Sequence, residues 1–225
     1  MEKYDLFIDS LDSEIIKLLS LRQKYKLNSK NFKVFELGGY NKEDTLISNI
    51  DNSIYLNELK ETDYKDNFKK YEKLFNHDLI KKKENPNITN LEELNLNRII
   101  KQCYITLLYD LCEFGDDKYY ETACDLDIKI LYHLSKRIHF GYELIKFKYL
   151  NNKELYKKLL NSNNTSLLIY YLSESIKEPT YLENLINICN HYSINHILVQ
   201  SFYKFYILPF TNEIQYSFLN KLKSI

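Results

Sequence analysis

The stretch Leu134–Lys148 reads LSKRIHFGYELIKFK. Its pattern is that of an amphipathic helix, with Leu134, Gly141 and Ile145 along the apolar side. Arg137 and Lys148 fall on that same side. Arg137 comes one turn after Leu134, and Lys148 follows eleven residues later. The two cations therefore lie about 20° apart in azimuth and about 16 Å apart along the axis. A charge facing a core is costly unless it is paired. One reading gives each cation an internal salt bridge, or lets its long stem snorkel to water. The other is a water-poor pocket built for an anion. Gly141 would then open space, and two cations at that separation suit a small ligand with more than one carboxylate.

Helical spacing continues in both directions. The long helix around the stretch is expected over residues 119–149. Upstream, Leu11, Ile15, Leu18 and Leu19 mark a first helix over 3–27. Residues 28–52, with Gly38-Gly39, read as a loop. A second helix over 53–76 has Ser53 as its N-cap. A polar connection with Pro86 leads to a helix over 90–114, punctuated by Gly115-Asp116-Asp117. Downstream come helices over 153–160, 165–177 (stopping near Pro179), 181–191 and 194–222. Pro209 lacks an N–H and clashes with the preceding turn, so it should kink the last helix. Four Gly and three Pro in 225 residues disfavour a turn-rich β fold. The fold class read from these patterns is all-α, a single helical domain over 1–225.

Hydrophobic residues make up 44% of the chain and aromatics 15%, ample for a core. The 31 basic and 31 acidic residues balance, whereas nucleic-acid binding usually demands a basic excess. Lys81-Lys82-Lys83-Glu84 reads as a solvated loop. Cys103, Cys112, Cys124 and Cys189 form no CxxC pair, which fits neither a zinc site nor a disulfide framework. MEKYDLFIDS has no apolar leader, and no window approaches 18 apolar residues. The expectation is a soluble cytoplasmic protein that touches no membrane.

Two polar pairs stand out near the C-terminus. Thr211 and Gln215, spaced i, i+4 beyond Pro209, share a helix face and are both uncharged hydrogen-bonding groups. Glu174 and Glu178 have the same spacing and read equally well as an ordinary helix surface.

Taken together, these features resemble a known family. The segment DLDIKILYHLSKRIHFGYELIKFKYLNNKELYKKLL (125–160) resembles the core of eukaryotic chorismate mutases of the fungal and plant type. It carries their SxRIHFG signature, a following lysine and a short LYxKL helix. YKFYILPFTNEIQYSFL (203–219) resembles their closing helix, and NFKKYEKLF (67–75) the segment where they carry an arginine pair. The resemblance covers residues 119–222 most strongly and 1–114 more weakly. It implies an all-helical homodimer that rearranges chorismate to prephenate without metal or cofactor. It also assigns roles. Arg137 would clamp the side-chain carboxylate, while Lys148 would donate to the ether oxygen and a carboxylate. Thr211 would seat the substrate, and Gln215 would be the second donor to the ether oxygen. Glu178 would hold the substrate hydroxyl, with Glu174 beside it. The fungal enzymes have glutamate where Gln215 stands. An amide donates at every ordinary pH, so no acid-shifted optimum is expected. His139 reads as structural.

Two departures accompany the resemblance. Family members bind the ring carboxylate with an arginine seven residues before the acid of the motif that reads LDSEII here. Counting back from Asp12 gives Asp5, an anion. The family's effector site uses two arginines and a Gly-Ser turn. Here Lys69 and Lys70 match the arginines, and Glu121-Thr122 the turn. Lysine cannot form the planar bidentate clamp, so weak or absent control by aromatic amino acids is expected. The alternatives to an active enzyme are a non-catalytic relative that binds a ligand or a partner, and a plain helical interaction protein whose cations are neutralised internally.

Overall fold

A computed structural model of the chain describes residues 2–28, 96–162, 164–173 and 178–223, which fall within one compact unit, Met1–Asn28 with Glu92–Ile225. Among the described residues the regular elements are all helical. The single-domain expectation also takes in 29–95, and the helix expected over 53–76 falls there. Both lie outside the described residues.

Helix α1 (Glu2–Arg22) buries Leu11, Ile15, Leu18 and Leu19, the stripe its sequence spacing marks out. Burying each such side chain fully contributes roughly 1.5–3 kcal/mol. The stripe packs on Ile130, Leu134 and Ile138 of α3 (Tyr120–His139). Between them in sequence, α2 (Asn97–Leu111) adds Ile100, Tyr104, Leu107 and Leu108. Residues 26–28 clasp 113–117: Leu27 N–H donates to Glu113 O and Asn28 N–H to Gly115 O, each at 2.8 Å. Gly115 stands at φ +122°, where a side chain would be strained.

The long helix expected over 119–149 is interrupted at Phe140. It becomes α3 and α4 (Gly141–Asn151). Phe140 keeps right-handed helical angles, and its N–H reaches Lys136 O at 3.0 Å, so the chain runs on with little change of course. After α5 (Lys153–Asn161) and α6 (Thr165–Ser173) comes α7 (Glu178–His191). Pro179 sits in its first turn. It therefore opens a helix rather than merely closing the one before, because a first-turn N–H has no intrahelical acceptor to lose. Asn195 caps α8 (His196–Phe202) through the N–H groups of Ile197 and Leu198.

The disturbance expected at Pro209 takes the form of a π-helical segment, Tyr203–Ile207. Proline cannot donate to the carbonyl four residues back, that of Phe205, and the wider turn takes up the mismatch. The chain then re-enters α9 (Leu208–Lys223), which packs along α4. There Tyr142 meets Phe218 edge-on at 5.0 Å between ring centres.

Candidate functional site

Arg137 is 3% exposed, two residues before the end of α3. Its Nε–H donates to Asp12 Oδ1 at 3.0 Å and Nη2 donates to the Tyr181 hydroxyl at 3.2 Å. That hydroxyl donates in turn to Asp12 Oδ2 at 2.6 Å. Nη1 reaches Thr211 Oγ1 at 3.4 Å, while the Thr211 hydroxyl donates to Ile207 O at 2.8 Å. One guanidinium thus joins α1, α3, α7 and α9. Burial alone would lower its pKa, but Asp12, followed by Tyr181, outweighs that and holds it above the ordinary arginine value. Tyr181 is held well above its usual range, first by burial, with Arg137 pulling the other way.

The internal salt bridge is therefore present. It does not exhaust the guanidinium, which has five N–H groups. One on Nε, one on Nη2 and one on Nη1 are engaged by described residues. Among the described residues, one N–H on each terminal nitrogen remains.

The reading of Gly141 needs correcting. It opens no space for a ligand. A Cβ built there would stand 2.8 Å from Thr211 O and 3.0 Å from Thr211 Cγ2. The glycine lets the α4 and α9 backbones approach, and that approach brings Thr211 to Arg137. Lys148 is buried near the end of α4. Gln215, one turn after Thr211, is 2% exposed, and its Oε1 has no hydrogen-bond partner among the described residues. An unsatisfied buried amide oxygen costs about 1–3 kcal/mol. The side chain can turn to present either its oxygen or its NH2 at that spot.

Asp5 is exposed on α1. With Asp9 and Asp12 it forms an i, i+4, i+7 run of acids. The carboxyl of Asp9 is raised above its ordinary value by burial first, then by Asp12 and Asp5, with Arg137 opposing. Glu178 is the first residue of α7; its side chain, like Glu174, Lys69 and Lys70, lies outside the described residues. Glu121 and Thr122 are exposed in the first turn of α3. His139 uses both ring nitrogens on backbone. One contact is Nδ1 to Ser135 O at 2.8 Å, and in the other Nε2 accepts from Leu96 N–H at 3.2 Å, which fixes the neutral tautomer protonated on Nδ1.

Two members of this arrangement were not anticipated as such: Asp12 as counter-ion and Tyr181 as the bridge. The only signal for Tyr181 is its place three residues after Glu178, on the same face of α7.

No family model matches the chain. It is 30% identical over 142 residues to a chorismate mutase of Saccharomyces cerevisiae, covering 56% of this chain and 55% of that one. It is 29% identical over 140 residues to one of Schizosaccharomyces pombe, covering 56% of each. These matches span little more than half the length of either relative. Its fold superposes on a Candida albicans chorismate mutase, solved in complex with L-Trp, with a TM-score of 0.76 at 22% identity, covering 98% of this chain and 91% of that one. The chain is thus similar in sequence to fungal chorismate mutases over little more than half its length, and it shares the all-helical fold of a solved one.

Proposed function

We propose that the chain catalyses the rearrangement of chorismate to prephenate. The observation that carries this reading is the buried Arg137, whose five N–H groups are not all taken by Asp12, Tyr181 and Thr211, the last of these one turn from a buried amide whose oxygen has no partner among the described residues. The reaction is unimolecular and needs no nucleophile. It needs a dicarboxylate held in a compact, chair-like geometry that solution rarely populates. It also needs donors aimed at the ether oxygen, where negative charge develops as the C–O bond lengthens. Arg137 clamps the side-chain carboxylate and Thr211 seats the substrate. Lys148 and the Gln215 amide donate to the ether oxygen, while Glu178 holds the substrate hydroxyl and Glu174 is a further substrate-binding residue. A homodimer in the cytoplasm, with weak or absent control by aromatic amino acids, completes the reading.

The test is direct. Chorismate added to pure protein should lose its absorbance well above the uncatalysed rate. The rate should hold steady between pH 5 and 7.5, and Gln215→Glu should make it fall across that range. Decay at the background rate retires the reading in favour of a non-catalytic relative. That second reading is favoured by one observation, the acidic run of Asp5, Asp9 and Asp12 where a cation is expected for the ring carboxylate.

A further inference from the structure

A carboxylate facing the side edge of a guanidinium ordinarily takes Nε–H and the neighbouring Nη2–H with its two oxygens, as a fork. Asp12 and Arg137 do not form that fork. Asp12 Oδ1 accepts from Nε at 3.0 Å, but Oδ2 accepts from the Tyr181 hydroxyl at 2.6 Å, and it is this hydroxyl that accepts from Nη2 at 3.2 Å. The phenol is wedged into the second limb. Asp12 therefore touches the guanidinium directly through one oxygen, and Tyr181 relays the other. The side edge is filled, and Nη1 makes only a longer contact, 3.4 Å, to Thr211 Oγ1; a carboxylate that takes both terminal nitrogens therefore approaches by the end edge, one N–H each from Nη1 and Nη2.

We infer that Tyr181 is a positioning residue for Arg137, holding the guanidinium by its side edge so that the end edge faces the ligand's carboxylate. The phenol is suited to this because it donates to Asp12 and accepts from Arg137 at once, which neither a carboxylate nor an ammonium group can do. Burial keeps its proton in place at ordinary pH. Without the hydroxyl, Asp12 Oδ2 loses its 2.6 Å donor and Nη2 its acceptor. The pair can then collapse into the direct fork, which turns the end edge away. The geometry stands by itself; the identity of the ligand rests on the function proposed above.

The sequence contains three arginines, Arg22, Arg98 and Arg137, so arginine labelled with 15N yields three Nε–H signals. Arg137→Lys identifies the one that matters, and Arg22 serves as the internal control. In Tyr181→Phe the Arg137 signal should shift and exchange with water several-fold faster, while the Arg22 signal stays. The KM for chorismate should rise about tenfold, the scale of losing a hydrogen bond to a charged group, with kcat within about twofold. An Arg137 signal that does not move, or a fall in kcat at constant KM, overturns the inference. In the wild type, chorismate should leave the Arg137 Nε–H signal nearly in place, because the side edge stays occupied; a large shift means the ligand displaces Tyr181 and overturns it too. If wild-type protein neither binds nor converts chorismate, the proposed function fails, and the comparison of signals in Tyr181→Phe still decides the positioning role.

Discussion

Helices α1 and α3 are joined at two buried ion pairs, and the two are built to opposite ends. Each helix carries an aspartate ten residues before an arginine: Asp12 and Arg22 on α1, Asp127 and Arg137 on α3. Antiparallel packing pairs them crosswise, giving two rungs about 15 Å apart. Each acid also receives a phenol. At the inner rung Arg22, 0% exposed, donates from Nε to Asp127 Oδ1 at 2.7 Å, and Tyr104 donates to that same oxygen at 2.5 Å. The remaining Arg22 nitrogens reach the carbonyls of Tyr25, Lys26 and Leu27 and the Cys112 sulfur. At the Arg137 rung the further partners are hydroxyls, those of Tyr181 and Thr211. Main-chain acceptors cannot leave, whereas hydroxyls can exchange partners. The first arginine belongs to the fold, closing the turn after α1, and the second keeps donors in reserve. Only three of 31 basic residues are arginine, and two of them occupy these rungs, where several donors fixed in one plane serve different partners at once and a lysine would not serve.

Conservative substitution at both rungs is the strongest way to break this comparison. Arg22→Lys leaves Asp127 poorly paired and three carbonyls short of a donor. Breaking a buried pair costs about 3–5 kcal/mol, or roughly 10–15 °C in a chain of this size. Thermal unfolding measures it, and a loss under about 5 °C would mean the inner rung is not a structural lock. Arg137→Lys should do the reverse. Its kcat/KM for chorismate should fall about 30- to several-thousand-fold, equivalent to about 2–5 kcal/mol. Its melting temperature should fall less than that of Arg22→Lys. Equal melting losses would erase the distinction.

The helices were legible in the sequence because burial on one face leaves a periodic mark, as Leu11, Ile15, Leu18 and Leu19 do. Gly115 was legible too, since a turn of positive φ needs it. Pro179 was ambiguous because proline both ends and begins helices. Gly141 was misread for a deeper reason. A pattern locates a residue without a side chain, but it cannot say whether the gap beside it is empty or filled by backbone seventy residues on. The rungs were half visible. The cation on the apolar stripe announced a buried Arg137, but its counter-ion lies 125 residues away, and Tyr181 is 169 residues from Asp12. No local spacing encodes such pairings.

Gly141→Ala tests whether Thr211 is held in place by helix contact. The added methyl meets backbone, not a flexible tip, so α4 and α9 must part. Overpacking of this kind costs about 1–3 kcal/mol. Thr211 would move with α9, so kcat/KM should fall as well. Loss of stability with unchanged kinetics would show that the Arg137–Thr211 contact, at 3.4 Å, is dispensable. A smaller effect, in the opposite direction, is expected at Asp5. Asp5→Arg replaces an exposed anion with the cation that the resemblance calls for, and it relieves the acidic run with Asp9 and Asp12. Turnover of chorismate should rise about tenfold, equivalent to about 1.4 kcal/mol. No gain would mean that another group takes the ring carboxylate.

The smallest expected effect isolates the acid of the inner rung. Asp127 Oδ2 has no hydrogen-bond partner among the described residues, because Arg22 and Tyr104 both favour Oδ1. Burial pushes its carboxyl up to about 6, with Arg22 and then Tyr104 restraining the rise. In the unfolded chain an aspartate titrates near 4. Between those values the folded protein holds a proton that the unfolded chain has lost. The contribution of this group is therefore fully present below about pH 4 and disappears as pH rises through about 6. Going from pH 7 to pH 5, the wild type should gain about 1 kcal/mol from this site. Asp127→Asn cannot make that gain, although it loses stability at every pH by weakening the pair. The measurement is the difference in unfolding free energy between the two proteins at each pH, in which the other carboxylates cancel. A gap that widens by about 1 kcal/mol between pH 7 and pH 5 means that the inner rung holds its acid against desolvation. A constant gap would mean that Arg22 keeps Asp127 as easily ionised as in water, and the two rungs would then differ only in their arginines.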